Sequence, residues 1–271
     1  MQASEATIKV FAENLTIIEA DGVLHEPLSM DSIQIFAGQR YSFIMTADQV
    51  INNYWIRANP NTGPAGFAGG TNSAILRCRS HLWIDPSQSK PSPSNIGANE
   101  SEPKTPQDTL INGLVNEVNL HPLVNPGAPG GAFIGGADVQ LNLALGFNPL
   151  IIIYKATLKF TINGATFVPP TVPVLLQILS GAQTAQSLLP SGSVYTLPHF
   201  ASIEITLAGG AVGGPHPFHL HGHVFDVIRS AGSSTYNYVN PARRDVVSIG
   251  NASDNVTIWF FTDNRGLPSG D

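Results

Sequence analysis

The stretch Pro215-His216-Pro217-Phe218-His219-Leu220-His221-Gly222-His223-Val224-Phe225 decides how this chain is read. Four of the chain's eight histidines lie within it. Val224, Phe225, Val227 and Ile228 are β-forming apolar residues, so the spacing predicts entry into a β-strand. Side chains alternate faces along a strand, which would put His219, His221 and His223 on one face. His216 has the opposite parity, and Pro217 holds it at the strand's mouth or in a bulge. One segment then offers imidazoles in two directions. Neutral imidazole is the commonest metal ligand and suits copper, zinc, iron and nickel. A histidine-rich surface turn is the plainer alternative, but four imidazoles at this spacing, leading into an apolar strand, favour metal binding. Gly222 removes a side chain where a bulky group must come close.

Working outward, the composition is that of a folded, strand-rich chain. Of 271 residues 42% are apolar and 12% charged, which supplies a sizeable core and argues against disorder. The 26 glycines and 21 prolines punctuate runs of Val, Ile and Thr, the pattern of short strands joined by turns in an all-β sandwich or barrel. A net charge of −6 without a basic stripe excludes nucleic acid and anionic membranes as partners. No apolar run reaches membrane-spanning length. The single cysteine, Cys78, forms no internal disulfide. Met1-Gln2-Ala3-Ser4-Glu5 lacks the basic and apolar regions of a signal peptide. Sequons at Asn14, Asn99, Asn251 and Asn255 are candidate glycosylation sites in a secreted protein.

Strands are predicted over 7–11, 15–20, 32–36, 41–45, 54–58 and 73–77, with a turn at Asp21-Gly22. Residues 79–112 turn to Pro, Ser, Asn and Gln and read as an extended linker. Strands resume at 138–145. Asn148–Leu158 is an apolar, β-prone run, and Lys159–Ile162 leads into an Asn163-Gly164 turn. Val174–Leu179 fits either a strand or a short helix, and Ala185–Leu189 a helical turn stopped by Pro190. Further strands are expected at 193–197, 202–207, 245–249 and 255–261. No hydrolase motif, nucleotide loop or pair of catalytic carboxylates is present.

These segments resemble the fungal laccases, blue multicopper oxidases built from cupredoxin-like β-sandwiches. The resemblance is carried by Asp31–Phe43, Asn53–Ala58, Phe160–Phe167, Pro173–Gln183, His216–His223 and Asn255–Ile258. It implies two Greek-key β-sandwich domains, both incomplete: 1–78 as the end of a second domain, 79–122 as linker, and 123–271 as a truncated third domain. It implies copper as cofactor, dioxygen and small phenols or aromatic amines as substrates, and a secreted protein. Residue by residue it makes His216 a type 1 copper ligand, His219 the type 2 ligand and His221 a type 3 ligand. His223 then stands behind the ligands and orients one of them. Phe67, Phe147 and Phe160 resemble apolar residues lining the substrate pocket, although burial in a core is the usual fate of phenylalanine.

The chain also departs from that pattern. After Asp263-Asn264 the family continues to a His-Cys-His segment, whereas this chain reads Arg265-Gly266-Leu267-Pro268-Ser269-Gly270-Asp271. One of three type 1 ligands and two of eight cluster ligands are thus expected here, with no blue copper site, because that colour needs a copper–thiolate bond. Residues 148–158 read as an insertion between Phe147 and Phe160. Open sheet edges would favour self-association. The competing readings are a non-catalytic metal-binding β-sandwich fragment and another multicopper oxidase, such as a ferroxidase or ascorbate oxidase.

Overall fold

A computed structural model describes residues 5–10, 15–46, 53–60, 73–77, 113–152, 155–181, 184–210 and 215–264. The expected linker over 79–112, Cys78, Phe67, Asn14 and Asn99 lie outside the described residues. The chain divides into two compact units, Ser4–Asn119 and Leu120–Asp271.

The first unit holds seven described strands: β1 (Glu5–Val10), β2 (Leu15–Ala20), β3 (Val23–Met30), β4 (Ser32–Phe36), β5 (Tyr41–Met45), β6 (Asn53–Pro60) and β7 (Ser73–Arg77). They form two antiparallel sheets, ordered β4-β1-β6-β7 and β3-β2-β5. Leu15, Ile17 and Ala20 of β2 and Ile33 of β4 are buried, and β2 alternates over Leu15–Ile17 before its register shifts between Ile17 and Glu19. Asp21 and Gly22 take φ of +51° and +89°, the turn that suits a tight hairpin, and join β2 to β3. The sequence reading missed β3, because Pro27 and His25 interrupt its pattern. Pro27 is tolerated there because β3 is an edge strand whose register with β2 shifts beside it. Residues 113–119, read from the sequence as linker, join this unit. Asp31 N–H donates to Gly113 O at 3.1 Å and Val115 N–H to Ser32 O at 3.1 Å.

The second unit is built on a sheet ordered β13-β12-β15-β10-β8-β9. Its strands are β8 (Val139–Ile152), β9 (Lys155–Ile162), β10 (Ser202–Ala208), β12 (Phe225–Arg229), β13 (Ala242–Arg244) and β15 (Asn255–Phe261). A separate pair, β11 (Pro217–His219) and β14 (Val246–Ser248), carries the histidine stretch. The core is Ile203, Ile205 and Leu207 of β10, Phe225, Val227 and Ile228 of β12, and Val256, Ile258, Trp259 and Phe260 of β15, all buried. β8 runs parallel to β10 over Val139–Ala144 only. Such a pairing needs a long crossover. Here the crossover contains β9 and the short helices α1 (Val174–Leu179) and α2 (Ala185–Leu188).

The run 148–158 continues the strands on either side of it. β8 and β9 pair from Leu145↔Ile162 to Ile152↔Lys155, so the backbone extends as a two-stranded ribbon beyond the part of β8 that pairs with β10. Asn163 and Gly164 form the expected tight turn with φ of +48° and +81°. The strand expected at 193–197 is absent. Ser193 N–H donates to Pro190 O, and the segment is instead tied by its side chains: Asn163 Nδ2 donates to Tyr195 Oη at 2.9 Å and Gln186 Nε2 to Thr196 Oγ1 at 3.0 Å. The all-β class stands, with α1 and α2 as its described α-helices.

Candidate metal centre

The histidine stretch is a three-residue strand followed by a turn. β11 pairs antiparallel with β14 through Pro217↔Ser248, Phe218↔Val247 and His219↔Val246. Ile249 N–H donates to His216 O at 3.0 Å and Leu220 N–H to Asp245 O at 3.3 Å, which close the two ends of the ladder. The strand stops at His219, and His221-Gly222 is a turn in which Gly222 has φ +78°. An added Cβ at Gly222 would meet Asn264 Nδ2 at 2.9 Å, so glycine answers both the backbone angle and a close neighbour.

This turn corrects the alternation expected for the histidines. His219 and His221 are still brought together, their ring centroids 4.8 Å apart at 62°. The turn does it, however, and His223 is not their companion. Its ring lies 5.0 Å from Phe260 of the core strand, and its Nε2 is buried without a hydrogen-bond partner. His216 shares no ring contact with the pair among the described contacts. Its ring meets Phe160 edge-on at 5.7 Å, and Phe160 lies 5.0 Å from Phe147, its cross-strand partner. Phe160 is 40% exposed, so this aromatic pair belongs to a surface beside His216 and not to a closed core.

Asp245 O, a carbonyl, can only accept, so the 2.7 Å contact from His219 Nδ1 fixes the proton on Nδ1. The lone pair of the neutral ring then lies on Nε2, free to bind a metal. The Asp245 carboxylate stands 3.7 Å from the same Nδ1. Residue type alone did not single out Asp245, because the contact is made by its backbone carbonyl, in the bend between β13 and β14. On β12, burial pushes the Asp226 carboxyl up to about 6 against the opposing pull of Arg243. The Arg243 Nε lies 3.9 Å from Asp226 Oδ1.

The donor set does not complete a copper site. Among the described residues no three His, Cys, Asp or Glu side chains converge. What converges is the His219–His221 pair, while the ring contact of His216 is with Phe160. Two imidazoles are of a ligand type that suits copper but fewer than a copper site needs.

Family models for multicopper oxidases match residues 3–81 and 167–267, one in each unit and together about two thirds of the chain. The chain belongs to the multicopper oxidase family. Within the family it is 56% identical to a laccase of Phlebia radiata over 261 residues, covering 96% of this chain and 46% of that protein. Laccase-2 of Trametes versicolor is also 56% identical, over 264 residues and again 46% of its length. The chain thus spans about half the length of the curated relatives it matches. Among solved structures, a laccase from Botrytis aclada matches with a TM-score of 0.66 at 22% identity, over 97% of this chain and 45% of that one. Fet3p, a multicopper oxidase that functions in iron import, matches with a TM-score of 0.68 at 18% identity, over 97% and 49%. These structural likenesses establish the cupredoxin-like β fold shared by the family. Copper is the metal of that family, and it agrees with imidazole as the ligand type in the one segment where His219 and His221 meet.

Proposed function

We propose that this chain is part of a laccase-type copper oxidoreductase. Four phenols or aromatic amines each give up one electron and one proton, and one dioxygen takes up the four electrons and four protons to become two waters. Copper is the cofactor class that supports one-electron and dioxygen chemistry of this kind. The reading rests on the His219–His221 pair in a chain 56% identical to fungal laccases. In it His216 serves the type 1 copper, His219 the type 2 copper and His221 a type 3 copper, with His223 behind them. The chain's own contribution is to hold these groups. The β11–β14 ladder fixes the backbone of His216 and His219, Asp245 O orients the His219 ring, and the turn at Gly222 brings His221 beside it. Phe160 beside His216, with Phe147 against it, offers an apolar aromatic wall for a phenol ring. An extracellular location accompanies this function, and the open edges of the β8–β9 ribbon are where copies would self-associate.

Among the described residues too few ligands converge, and residues 1–271 by themselves are expected to turn over no phenol. In the complete protein carrying these residues, His219→Ala is expected to lower phenol oxidation by more than about a hundredfold. Losing a ligand should exceed the 10–100-fold cost of losing the groups behind one. Oxygen uptake with a phenol, beside far-UV circular dichroism to show that the variant folds, makes the measurement. Undiminished turnover would remove His219 from the centre. Turnover of ferrous iron or ascorbate in place of phenols would move the protein to another branch of the family.

A further inference from the structure

Three oxidisable rings touch in series within the second unit. Trp259 is fully buried in β15, and its indole meets Tyr238 in a T-shaped contact with centroids 5.3 Å apart. Tyr238 in turn lies 6.1 Å from Tyr236, the two ring planes only 10° apart. Both tyrosines are half-buried and stand in the connection between β12 and β13. That connection is tied down. Asn237 N–H donates to Ile228 O at 2.7 Å, and Asn237 Oδ1 accepts from Val239 N–H at 3.2 Å and from Asn240 N–H at 3.1 Å. Arg229 Nε donates to Ser233 O at 2.8 Å, and its guanidinium lies 5.6 Å from the centre of the Tyr236 ring. At the buried end, Trp259 Nε1 donates to Glu204 Oε2 at 2.9 Å, so a carboxylate stands ready to take the indole proton. The Tyr238 hydroxyl is buried and has no hydrogen-bond partner among the described residues. Burial first, then Glu204 and Tyr236, push that phenol above its ordinary range, so it keeps its proton at neutral pH. Packing alone does not call for the oxygen. A buried hydroxyl without a partner costs free energy that a phenylalanine would not.

We propose that Trp259, Tyr238 and Tyr236 form a relay that moves an oxidising equivalent from the buried indole to a surface phenol. A one-electron acceptor takes an electron from Trp259, and the Nε1 proton passes to the Glu204 carboxylate. Tyr238 then gives an electron to the indolyl radical. Glu204 returns the proton to Nε1, and the freed carboxylate accepts the phenolic proton of Tyr238. Tyr236 repeats the exchange. Its electron reduces the Tyr238 phenoxyl radical, Glu204 gives the proton back to Tyr238, and the Tyr236 proton goes to solvent. The sum is one electron to the acceptor, one proton to water and one phenoxyl radical on Tyr236. A phenolic donor then gives up a hydrogen atom and restores Tyr236. A phenoxyl radical is more stable than an indolyl radical near neutral pH, so the relay runs outward. Both ring separations are within aromatic contact range, where no bridging group is needed. From the function proposed above the relay takes only the phenol that quenches it.

The test is flash photolysis of residues 1–271 with light selective for indole and with hexaamminecobalt(III) as the irreversible electron acceptor. Indolyl and phenoxyl radicals have separate absorption bands. Trp55 and Trp83 are excited as well, but equally in the parent and in the tyrosine variant. In the parent the phenoxyl band is expected to grow in as part of the indolyl band decays, at a rate independent of protein concentration. Tyr238→Phe removes only a hydroxyl without a partner, so the fold is kept, and that growth phase is expected to be lost. Trp259→Phe, checked for folding by circular dichroism, is expected to lose it as well. A nitroso spin trap followed by peptide mass mapping is expected to mark Tyr236 in the parent and to leave it unmarked in Tyr238→Phe. Phenoxyl growth in Tyr238→Phe equal to the parent's, or equal marking of Tyr236 in the two chains, would overturn the relay. Neither readout depends on copper or on phenol turnover, so the oxidoreductase reading stands or falls separately.

Discussion

Trp259→Ala is expected to cost about 3–5 kcal/mol of stability, the usual range for deleting a buried large aromatic side chain. Trp259 is fully buried at the centre of β15, which runs between β10 and β12. Its indole meets Tyr238 in a T-shaped contact at 5.3 Å, and Nε1 donates to Glu204 Oε2 at 2.9 Å. The register sets Glu204, Trp259, Asp226 and Arg243 opposite one another across four strands, so they share one face of the sheet. Alanine would leave a cavity and also strip Glu204 of its donor. Trp259→Phe keeps most of the volume and loses only the N–H, which should cost about 1–3 kcal/mol. Urea unfolding of the parent and both variants separates the terms. A loss below about 1 kcal/mol for the alanine variant would mean that this row does not anchor the sheet.

The second large effect is one of pH. Burial raises the Asp226 carboxyl to about 6 in the folded chain, and Arg243 only partly offsets it. Below about pH 4 the group is protonated in both states and adds no pH dependence. As pH rises, the unfolded chain gives up the proton first, while the folded chain keeps it until about pH 6. The folded state binds more protons in that window, so stability falls across it and levels off above. The shift of about two units corresponds to about 3 kcal/mol at neutral pH. Asp226→Asn keeps the shape without the charge. It is expected to match the parent near pH 4 and to exceed it by about that amount near pH 7. Denaturant midpoints at both pH values decide the matter. Parallel profiles for parent and variant would show that Asp226 is not the responsible group.

Much of the architecture was legible because local chemistry and tertiary need agree. Asp21-Gly22 and Asn163-Gly164 demand positive φ and sit at tight turns, and the alternating runs at 15–20, 202–207 and 255–261 became half-buried or buried strands. β3 was hidden because Pro27 is read as a strand breaker, yet an edge strand does not need that N–H. The segment 193–197 has strand composition but finds no ladder, and its polar side chains take over the pairing. In the candidate centre, the residue types and their spacing pointed to a histidine cluster, of which the structure brings His219 and His221 together. Alternation then misplaced His223, because a glycine turn after His219 breaks the two-residue period. Asp245 could not be chosen from the sequence, since the contact is made by a backbone carbonyl in the bend between β13 and β14, 26 residues away. The partner of His223 is a core ring on β15, and that adjacency is set only when the strands assemble.

The most direct measurement is the visible absorption spectrum of copper-loaded residues 1–271, with copper per chain quantified for the parent and for His219→Ala/His221→Ala together. The expected result is a protein without an intense blue band, holding a small amount of copper that the double variant loses. Undiminished copper in the double variant would contradict the assignment of the pair. An intense blue band would show a thiolate-bound copper completed within these residues, and would contradict a partial centre at His216, His219 and His221.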